Sequence, residues 1–391
     1  MVPYRFISAI LLASLNLPAQ APAKTPAFAV IDPADAAQWD AWAKGPGWRV
    51  VTAAPMPAGS AIDARTQALA EAIRNAVQNS GVDPSRVYLV GRGTSSGAVF
   101  YAASRLPDLF AGAFALGGSP RQATDTGIVF TANFTNTPLL WAGSSDFDRS
   151  LAAQWKAAGM NIEYRQANGL SMNAVVEWLS GHQREDFPPE VDCETTSTAF
   201  ASCFWVKMAE FDPAERNDVL PSSALKAGSG AMLDVGAFEY KADDPGPGIQ
   251  VAGLPAKYDG PLKTGDRLLE LDGKPIENGR AFEQMMRDAV QTKDTVVLVE
   301  QNGARKRIET RIIVPDKPKV VTARVQAHYA AGDDEIQIVS RGVTELHVTI
   351  PAAWEPVTLY WNGLAVDHAR EAGCLDLTIR KEILHAEACQ P

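Results

Sequence analysis

Histidine is scarce in this 391-residue chain and is missing altogether from its first 181 residues. A serine nucleophile needs a general base, which is usually an imidazole oriented by an acid. Any imidazole that serves the first part of the chain must therefore come from residue 182 or from a position beyond it. The five histidines are His182, His328, His347, His368 and His385.

Positive charge and long apolar runs are also limited. The net charge of -10 argues against a nucleic-acid partner or an anionic membrane surface. The apolar run Phe6–Leu17 follows Arg5 and precedes small residues suited to cleavage. This pattern predicts a secretory signal peptide over residues 1–23, and the run is too short to span a bilayer. We therefore expect a periplasmic or secreted protein with no membrane span.

Cysteine is limited to four residues, which form two pairs that are close in sequence. Four cysteines allow three connectivities, and we favour the local one because each pair lies within one predicted module. The predicted disulfides are Cys193 with Cys203 and Cys374 with Cys389. Neither pair has the tight spacing of a zinc site, and the histidines do not cluster. We accordingly predict no metal and no other cofactor.

Strands and helices alternate from residue 24 to residue 186, which predicts a small, doubly wound parallel α/β sheet. Its most informative part is Asp83–Pro120. A buried strand at Val87–Val90 enters a glycine turn, a helix follows, and a second buried strand occupies Ala113–Leu116. The proline-rich, acidic stretch at residues 185–190 is typical of a linker.

This strand–turn–helix resembles the nucleophile elbow of secreted α/β-hydrolases, the esterases and peptidases related to polyester depolymerases. In that family G-x-S-x-G directly follows the strand. Counting from Gly91 places Gly93, not a serine, in the nucleophile position. A literal G-x-S-x-G occurs two residues later and makes Ser95 the alternative nucleophile. Serine and threonine here would otherwise serve to cap the helix.

The other catalytic parts that the resemblance implies are incomplete. Asp146 is at the position of the orienting acid, but the loop expected to carry the base, residues 166–172, has no histidine. His182, beyond the last helix, is the only candidate. The loop at Asp32–Asp35 is acidic and would oppose a developing oxyanion. We therefore expect an inactive hydrolase scaffold; the alternative is an active serine esterase or peptidase that uses Ser95, Asp146 and His182.

The stretch Gly260–Ile276 resembles the core of PDZ domains, with a turn into a strand at Gly265-Asp266 and a hairpin turn at Asp272-Gly273. Gly279–Val290 fits the helix that borders their groove. PDZ domains bind an extended peptide as an added strand and hold its terminal carboxylate on backbone N–H groups. Phe282 and Met286 lie on this helix, and plain core packing is the alternative role for their side chains. The resemblance implies a peptide site at Gly236, Ala237, Phe238, Tyr240, Phe282 and Met286.

Alternating apolar and polar residues flank this region on both sides, which predicts an antiparallel β-sandwich. The expected division is a signal peptide (1–23), an α/β-hydrolase-like domain (24–186), a β-rich domain (187–228 and 317–391) and an inserted PDZ domain (229–316). The function predicted from these parts is peptide or protein binding. A structural envelope protein, with its groove blocked by the chain itself, is a further alternative.

Overall fold

The computed structural model describes residues 24–57, 59–212, 214, 220–225, 230–240, 244–315 and 320–389. The predicted signal peptide lies outside the described residues. The described chain is a mixed α/β structure with several sheets. None of the helices in the described ranges combines the length and the apolar character needed to cross a membrane.

The first sheet has six strands, and all its neighbouring strands are parallel. Its strands are β1 (Thr25–Val30), β2 (Arg49–Thr52), β3 (Val82–Arg92), β4 (Gly112–Leu116), β5 (Leu139–Gly143) and β6 (Ile162–Gln166). They lie in the order β2-β1-β3-β4-β5-β6. Strands that are buried on both faces read as continuous apolar runs, and the central residues of β3 are fully buried for this reason.

Helices cover both faces of this sheet, as a doubly wound arrangement requires. They are α1 (Ala36–Ala43), α2 (Ile62–Asn79), α3 (Ser96–Arg105), α4 (Arg121–Thr124), α5 (Asp146–Ala157) and α6 (Met172–Ser180). Side chains of α2, α3 and α5 share one apolar core. Side chains of α1 and α6 share the core on the opposite face.

The second sheet along the chain has seven antiparallel strands. Three strands precede it in sequence and belong to the five-stranded sheets described below: β7 (Glu190–Thr195), β8 (Ser202–Cys203) and β9 (Val206–Phe211). The seven strands are β10 (Met232–Leu233), β11 (Glu239–Tyr240), β12 (Ile249–Gly253), β13 (Arg267–Leu271), β14 (Lys274–Pro275), β15 (Lys293–Gln301) and β16 (Ala304–Ile313). Helix α7 (Gly279–Asp288) packs on them and shares their separate core. Strand β11 ends the sheet order and is therefore an edge strand.

The remaining strands form two five-stranded sheets around one core. They are β17 (Ala323–Ala330), β18 (Glu335–Arg341), β19 (Val343–Ile350), β20 (Thr358–Trp361), β21 (Leu364–Ala365), β22 (Gly373–Arg380) and β23 (Ile383–Ala388). Strand β7 pairs with β17, and β9 pairs with β19. Both sheets therefore combine strands from before and after the seven-stranded sheet.

Two disulfides lie in these sheets. Cys193 is bonded to Cys203, and Cys374 is bonded to Cys389. The first joins β7 to β8 and so links the two sheets, whereas the second joins β22 to the residue that follows β23. Stable disulfides indicate an oxidising compartment.

A buried carboxylate fastens the chain where it leaves for the seven-stranded sheet and where it returns. Glu194 on β7 is fully buried. It accepts hydrogen bonds from the Ser222 hydroxyl at 2.7 Å, the Ser223 backbone N–H at 2.6 Å and the Thr322 hydroxyl at 2.6 Å. Its ion pair with Arg341 spans 2.8 Å. A buried charge is tolerated only with such complete pairing.

Candidate functional site

The polar groups of the turn after β3 are hydrogen-bonded to one another and to Asp35 of the loop after β1. Gly93 has a positive φ of 54°, and α3 begins three residues later. The buried Ser95 hydroxyl lies 3.0 Å from the carboxylate of Asp35 and 2.8 Å from the carbonyl of Arg92. The Arg92 backbone N–H donates to the same hydroxyl, and the Arg92 side chain pairs with Asp35 at 2.9 Å. The Ser95 hydroxyl is therefore hydrogen-bonded within the turn and to Asp35, and none of these partners is an imidazole.

The partnership of Ser95 with Asp35 follows from sheet order. Strands β1 and β3 are parallel neighbours, so the loops at their carboxyl ends meet at one edge of the sheet. Sequence reasoning placed Asp35 in an acidic loop but did not place that loop beside Ser95, because one sequence does not reveal which strands are neighbours.

Asp146, the predicted orienting acid, lies in the first turn of α5. Its side chain is 86% exposed and pairs with Arg149 at 3.1 Å. The adjacent residues Ser145 and Asp148 cap the same helix. Asp146 makes no hydrogen bond or ion pair to Ser95 or His182, all three of which are described. A solvated acid in this position cannot orient an imidazole that is not beside it.

His182, the predicted base, lies near the other end of β3. Its Nδ1 is 2.8 Å from the carbonyl of Trp178, and its own carbonyl accepts a hydrogen bond from the Tyr88 hydroxyl at 3.0 Å. The next arginine, Arg184, donates its backbone N–H to Ser85 at the start of β3. The seven residue-to-residue steps from Ser85 to Arg92, at the end of β3, span about 23 Å. The structure therefore does not bring Ser95, Asp146 and His182 together.

The loop after β4 packs tightly on the turn that holds Gly93. A Cβ atom added at Gly118 would lie 1.9 Å from the carbonyl oxygen of Gly93, so only glycine fits there. Three residues later this loop begins α4, which carries Arg121. The position of α4 is thus set by contact with the turn after β3.

A cavity of about 510 Å³ lies between the edge strand β11 and helix α7. We call it the groove. All six residues predicted for peptide binding line it, so the structure brings them together. The groove-lining residues are Arg121, Asp125, Gly230, Ala231, Met232, Leu233, Asp234, Gly236, Ala237, Phe238, Tyr240, Phe282, Glu283, Met286, Arg287 and Ile313.

The loop at one end of the groove has a conformation that only glycine permits. Gly236 has φ of 81°, and a Cβ there would lie 2.7 Å from the ring of Tyr258. The Tyr258 hydroxyl donates to the carbonyl of Val235 and accepts from the backbone N–H of Leu262. Tyr258 thus positions this loop. Sequence reasoning missed it, because a single loop tyrosine carries no pattern.

Aromatic and thioether side chains form the floor and the helix wall of the groove. Phe282 and Met286 are 3% and 8% exposed, so they belong to the core of this unit as well as to the groove lining. The rings of Tyr240 and Phe282 meet edge to face at 5.3 Å, and Phe238 lies 5.8 Å from Tyr240. Such a surface suits an apolar side chain.

Helix α4 of the parallel-sheet unit supplies a further wall. Arg121 contacts Glu283 of α7 at 3.1 Å and Asp125 at 3.5 Å. Burial raises the pKa of Tyr240; Glu283 raises it further, whereas Arg121 lowers it. These charges therefore face the tyrosine within the groove. Sequence reasoning did not place Arg121 here, because the contact joins residues 162 positions apart.

No protein-family model and no curated protein matches the chain in sequence. Similar solved structures include a thermostable esterase, with 18% identity and a TM-score of 0.24 over 30% of this chain and 36% of that chain. An HtrA-type protease with a decapeptide has 24% identity and a TM-score of 0.19 over 23% and 31% of the two chains. Arabidopsis thaliana SOBER1 has 16% identity and a TM-score of 0.30 over 41% and 99%.

The chain thus spans only about a third of the first two of these proteins. The first is described as an esterase and the second as a protease. With TM-scores this low, the likenesses do not establish an activity for this chain.

Proposed function

We propose that this chain is a peptide-binding protein of the periplasm or the extracellular space. Its site is the groove, in a PDZ-like unit at residues 229–316 that is inserted into a β-rich domain formed by residues 187–228 and 317–391. The α/β-hydrolase-like unit at residues 24–186 serves as a scaffold without hydrolytic chemistry. The observation that carries this proposal is an open, apolar cavity beside an edge strand.

The groove offers the two features that strand addition needs. In the described part of the chain no strand pairs with the outer side of β11, so its backbone groups are open to an added strand. Phe282 and Met286 supply an apolar contact for one peptide side chain. The backbone N–H groups around Gly236 and Ala237 would bind the terminal carboxylate.

The polar groups near Ser95 support the non-catalytic part of this proposal. Its hydroxyl is engaged by Asp35 and by the backbone of Arg92, and His182 belongs to the opposite edge of the sheet. Loss of the base alone removes most of the advantage of a catalytic triad. The space in the groove counts against a purely structural protein whose groove is blocked by the chain.

The proposal is tested by fluorescence anisotropy of the full chain with a library of labelled peptides. We expect binding of peptides that end in an apolar residue with a free carboxylate, and weaker binding of their amidated copies. Ala237 is exposed in the loop, so its substitution leaves the core intact. Ala237→Glu should weaken binding about tenfold, because a second negative charge opposes the carboxylate.

The matched control is Ala237→Gln, which adds the same bulk without the charge and should bind much more tightly than the glutamate variant. Ala304→Glu adds the same charge on an exposed strand of the same unit and should change nothing. If no peptide binds the full chain, or if both variants at position 237 bind like the parent, the groove is not a peptide site.

A further inference from the structure

A second cavity, of about 480 Å³, lies at the carboxyl edge of the parallel sheet, and we call it the crevice. Its lining comes from residues 31–34 of the loop after β1 and from residues 53–57, 59 and 60 of the loop after β2. Arg65 of α2 also lines it. The crevice shares no lining residue with the groove, so a ligand bound here would be separate from the proposed peptide.

The order of the strands explains the position of the crevice. Strands β1 and β2 are parallel neighbours, with Val30 opposite Thr52, so their loops leave the sheet side by side. The loops then diverge, because α1 packs on one face of the sheet and α2 packs on the other. Parallel α/β sheets bind ligands in crevices of this kind, outside the carboxyl ends of strands whose connections run to opposite faces.

The loop after β2 supplies an apolar wall. Its residues 53–57 are all apolar, and residues 54–57 are exposed. Met56 is 39% exposed, and its thioether suits an aromatic ring. Pro55 and Pro57 restrict the backbone of the loop, so little conformational entropy is lost when a ligand binds. This wall is therefore available to an apolar side chain.

Two side chains of opposite charge also line the crevice, namely Asp32 and Arg65. One carboxylate oxygen of Asp32 accepts a hydrogen bond from the Ala34 backbone N–H at 3.0 Å. In the described ranges no ion pair joins Asp32 to Arg65, or either of them to another side chain. Asp63, on the same helix as Arg65, instead accepts a hydrogen bond from the Tyr101 hydroxyl at 2.6 Å. Both charges in the crevice are therefore available to a ligand.

We propose that the crevice binds a small zwitterion with an apolar side chain, namely an aromatic α-amino acid or a dipeptide that ends in one. The carboxylate of the ligand pairs with the guanidinium of Arg65, and its ammonium group pairs with the second carboxylate oxygen of Asp32. Its ring packs on Met56. A ligand with a single charge leaves one of the two protein charges without a partner, so the site selects the zwitterion.

The test is isothermal titration calorimetry of the full chain with phenylalanine and with alanyl-phenylalanine. We expect at least one of them to bind. Phenylalaninamide lacks the carboxylate and 3-phenylpropionate lacks the ammonium group, so each should bind about fivefold more weakly than the zwitterion. Ala237→Glu, in the groove, should leave this binding unchanged, which keeps the result independent of the peptide proposal.

Two variants assign the charges separately. Arg65→Gln should weaken the zwitterion about fivefold without weakening phenylalaninamide, which has no carboxylate. Asp32→Asn keeps the oxygen that accepts from Ala34, and it should weaken the zwitterion without weakening 3-phenylpropionate. The matched controls are Arg74→Gln on α2 and Asp40→Asn on α1, both exposed and outside the lining; they should bind as the parent does.

Three results would overturn the proposal. The first is that neither phenylalanine nor alanyl-phenylalanine binds at millimolar concentration. The second is that the ligands with one charge bind as tightly as the zwitterion. The third is that Arg65→Gln weakens phenylalaninamide as much as the zwitterion, because the arginine would then support the fold of the crevice without binding a carboxylate.

Discussion

The turn after β3 and the groove beside β11 differ in whether their polar groups are paired within the chain. At the turn, the Ser95 hydroxyl, the Asp35 carboxylate and the Arg92 side chain bind one another, and Gly118 fills the remaining space. The groove instead leaves about 510 Å³ beside an unpaired strand edge. Polar groups that satisfy each other stabilise a fold, whereas unpaired edges and apolar space are available to a ligand.

The largest effect on stability is expected at Glu194, which is hydrogen-bonded to both ends of the segment that carries the groove. Glu194→Gln removes the charge that pairs with Arg341 and should lower the free energy of unfolding by about 3 kcal/mol. Peptide affinity measured below the unfolding transition should stay within about twofold if the groove is independent of this junction. Urea unfolding and anisotropy give the two numbers.

Glu190→Gln is a control for this change, since Glu190 starts the same strand with its side chain exposed; its stability should match the parent. Equal stability of the Glu194 variant and the parent would contradict the role assigned to this carboxylate.

A smaller effect is expected at the turn. Ser95→Ala removes hydrogen bonds to Asp35 and to the Arg92 backbone, and should cost about 1 kcal/mol of stability. We expect no hydrolysis of p-nitrophenyl esters by the parent and none by the variant. Thermal unfolding and an ester assay measure the two effects.

Labelling by a fluorophosphonate separates the alternatives at this position. Parent protein that reacts, together with a Ser95→Ala variant that does not, would make the turn an active site and reverse the comparison. Ser171→Ala, which removes an N-cap serine at the start of α6, is the control for general loss of a hydroxyl.

The smallest effect is expected at Arg121, where the parallel-sheet unit contributes to the groove. Its ion pair with Glu283 is partly exposed and contributes at most about 1 kcal/mol. Arg121→Ala should therefore weaken peptides with acidic side chains by no more than about fivefold and leave neutral peptides unchanged.

Arg149→Ala removes an exposed arginine whose ion-pair partner is Asp146, and should alter neither class of peptide. Uniform weakening of acidic and neutral peptides by Arg121→Ala would mean that α4 supports the fold of the groove without reading the charge of the ligand.

Local patterns predicted much of the fold. The predicted hairpin turn Asp272-Gly273 has positive φ values of 50° and 73°, and the dipeptides Asn302-Gly303 and Asn362-Gly363 carry the same sequence pattern with φ values between 50° and 84°. Such turns need little context, because the required conformation favours asparagine, aspartate and glycine.

Other elements depended on contacts that a single sequence does not encode. Helix α1 is not predicted from the sequence, because the residues before it form an acidic loop pattern. Asp32 caps the short 3-10 helix Pro33–Asp35 that leads into α1, by accepting a hydrogen bond from the Ala34 backbone N–H at 3.0 Å. The pairing of Ser95 with Asp35 required the strand order. Arg121 reached the groove through packing between separate units, which leaves no periodic pattern.

The pairing of β7 with β17 also has a mechanical consequence. These strands are antiparallel over six residue pairs, from Glu190 opposite His328 to Thr195 opposite Ala323. A force that pulls the chain before Glu190 away from the chain after His328 would load this ladder from the end remote from the groove. It would reach the segment that carries the groove only through this ladder or through the pairing of β9 with β19, so these two ladders shield the groove from tension.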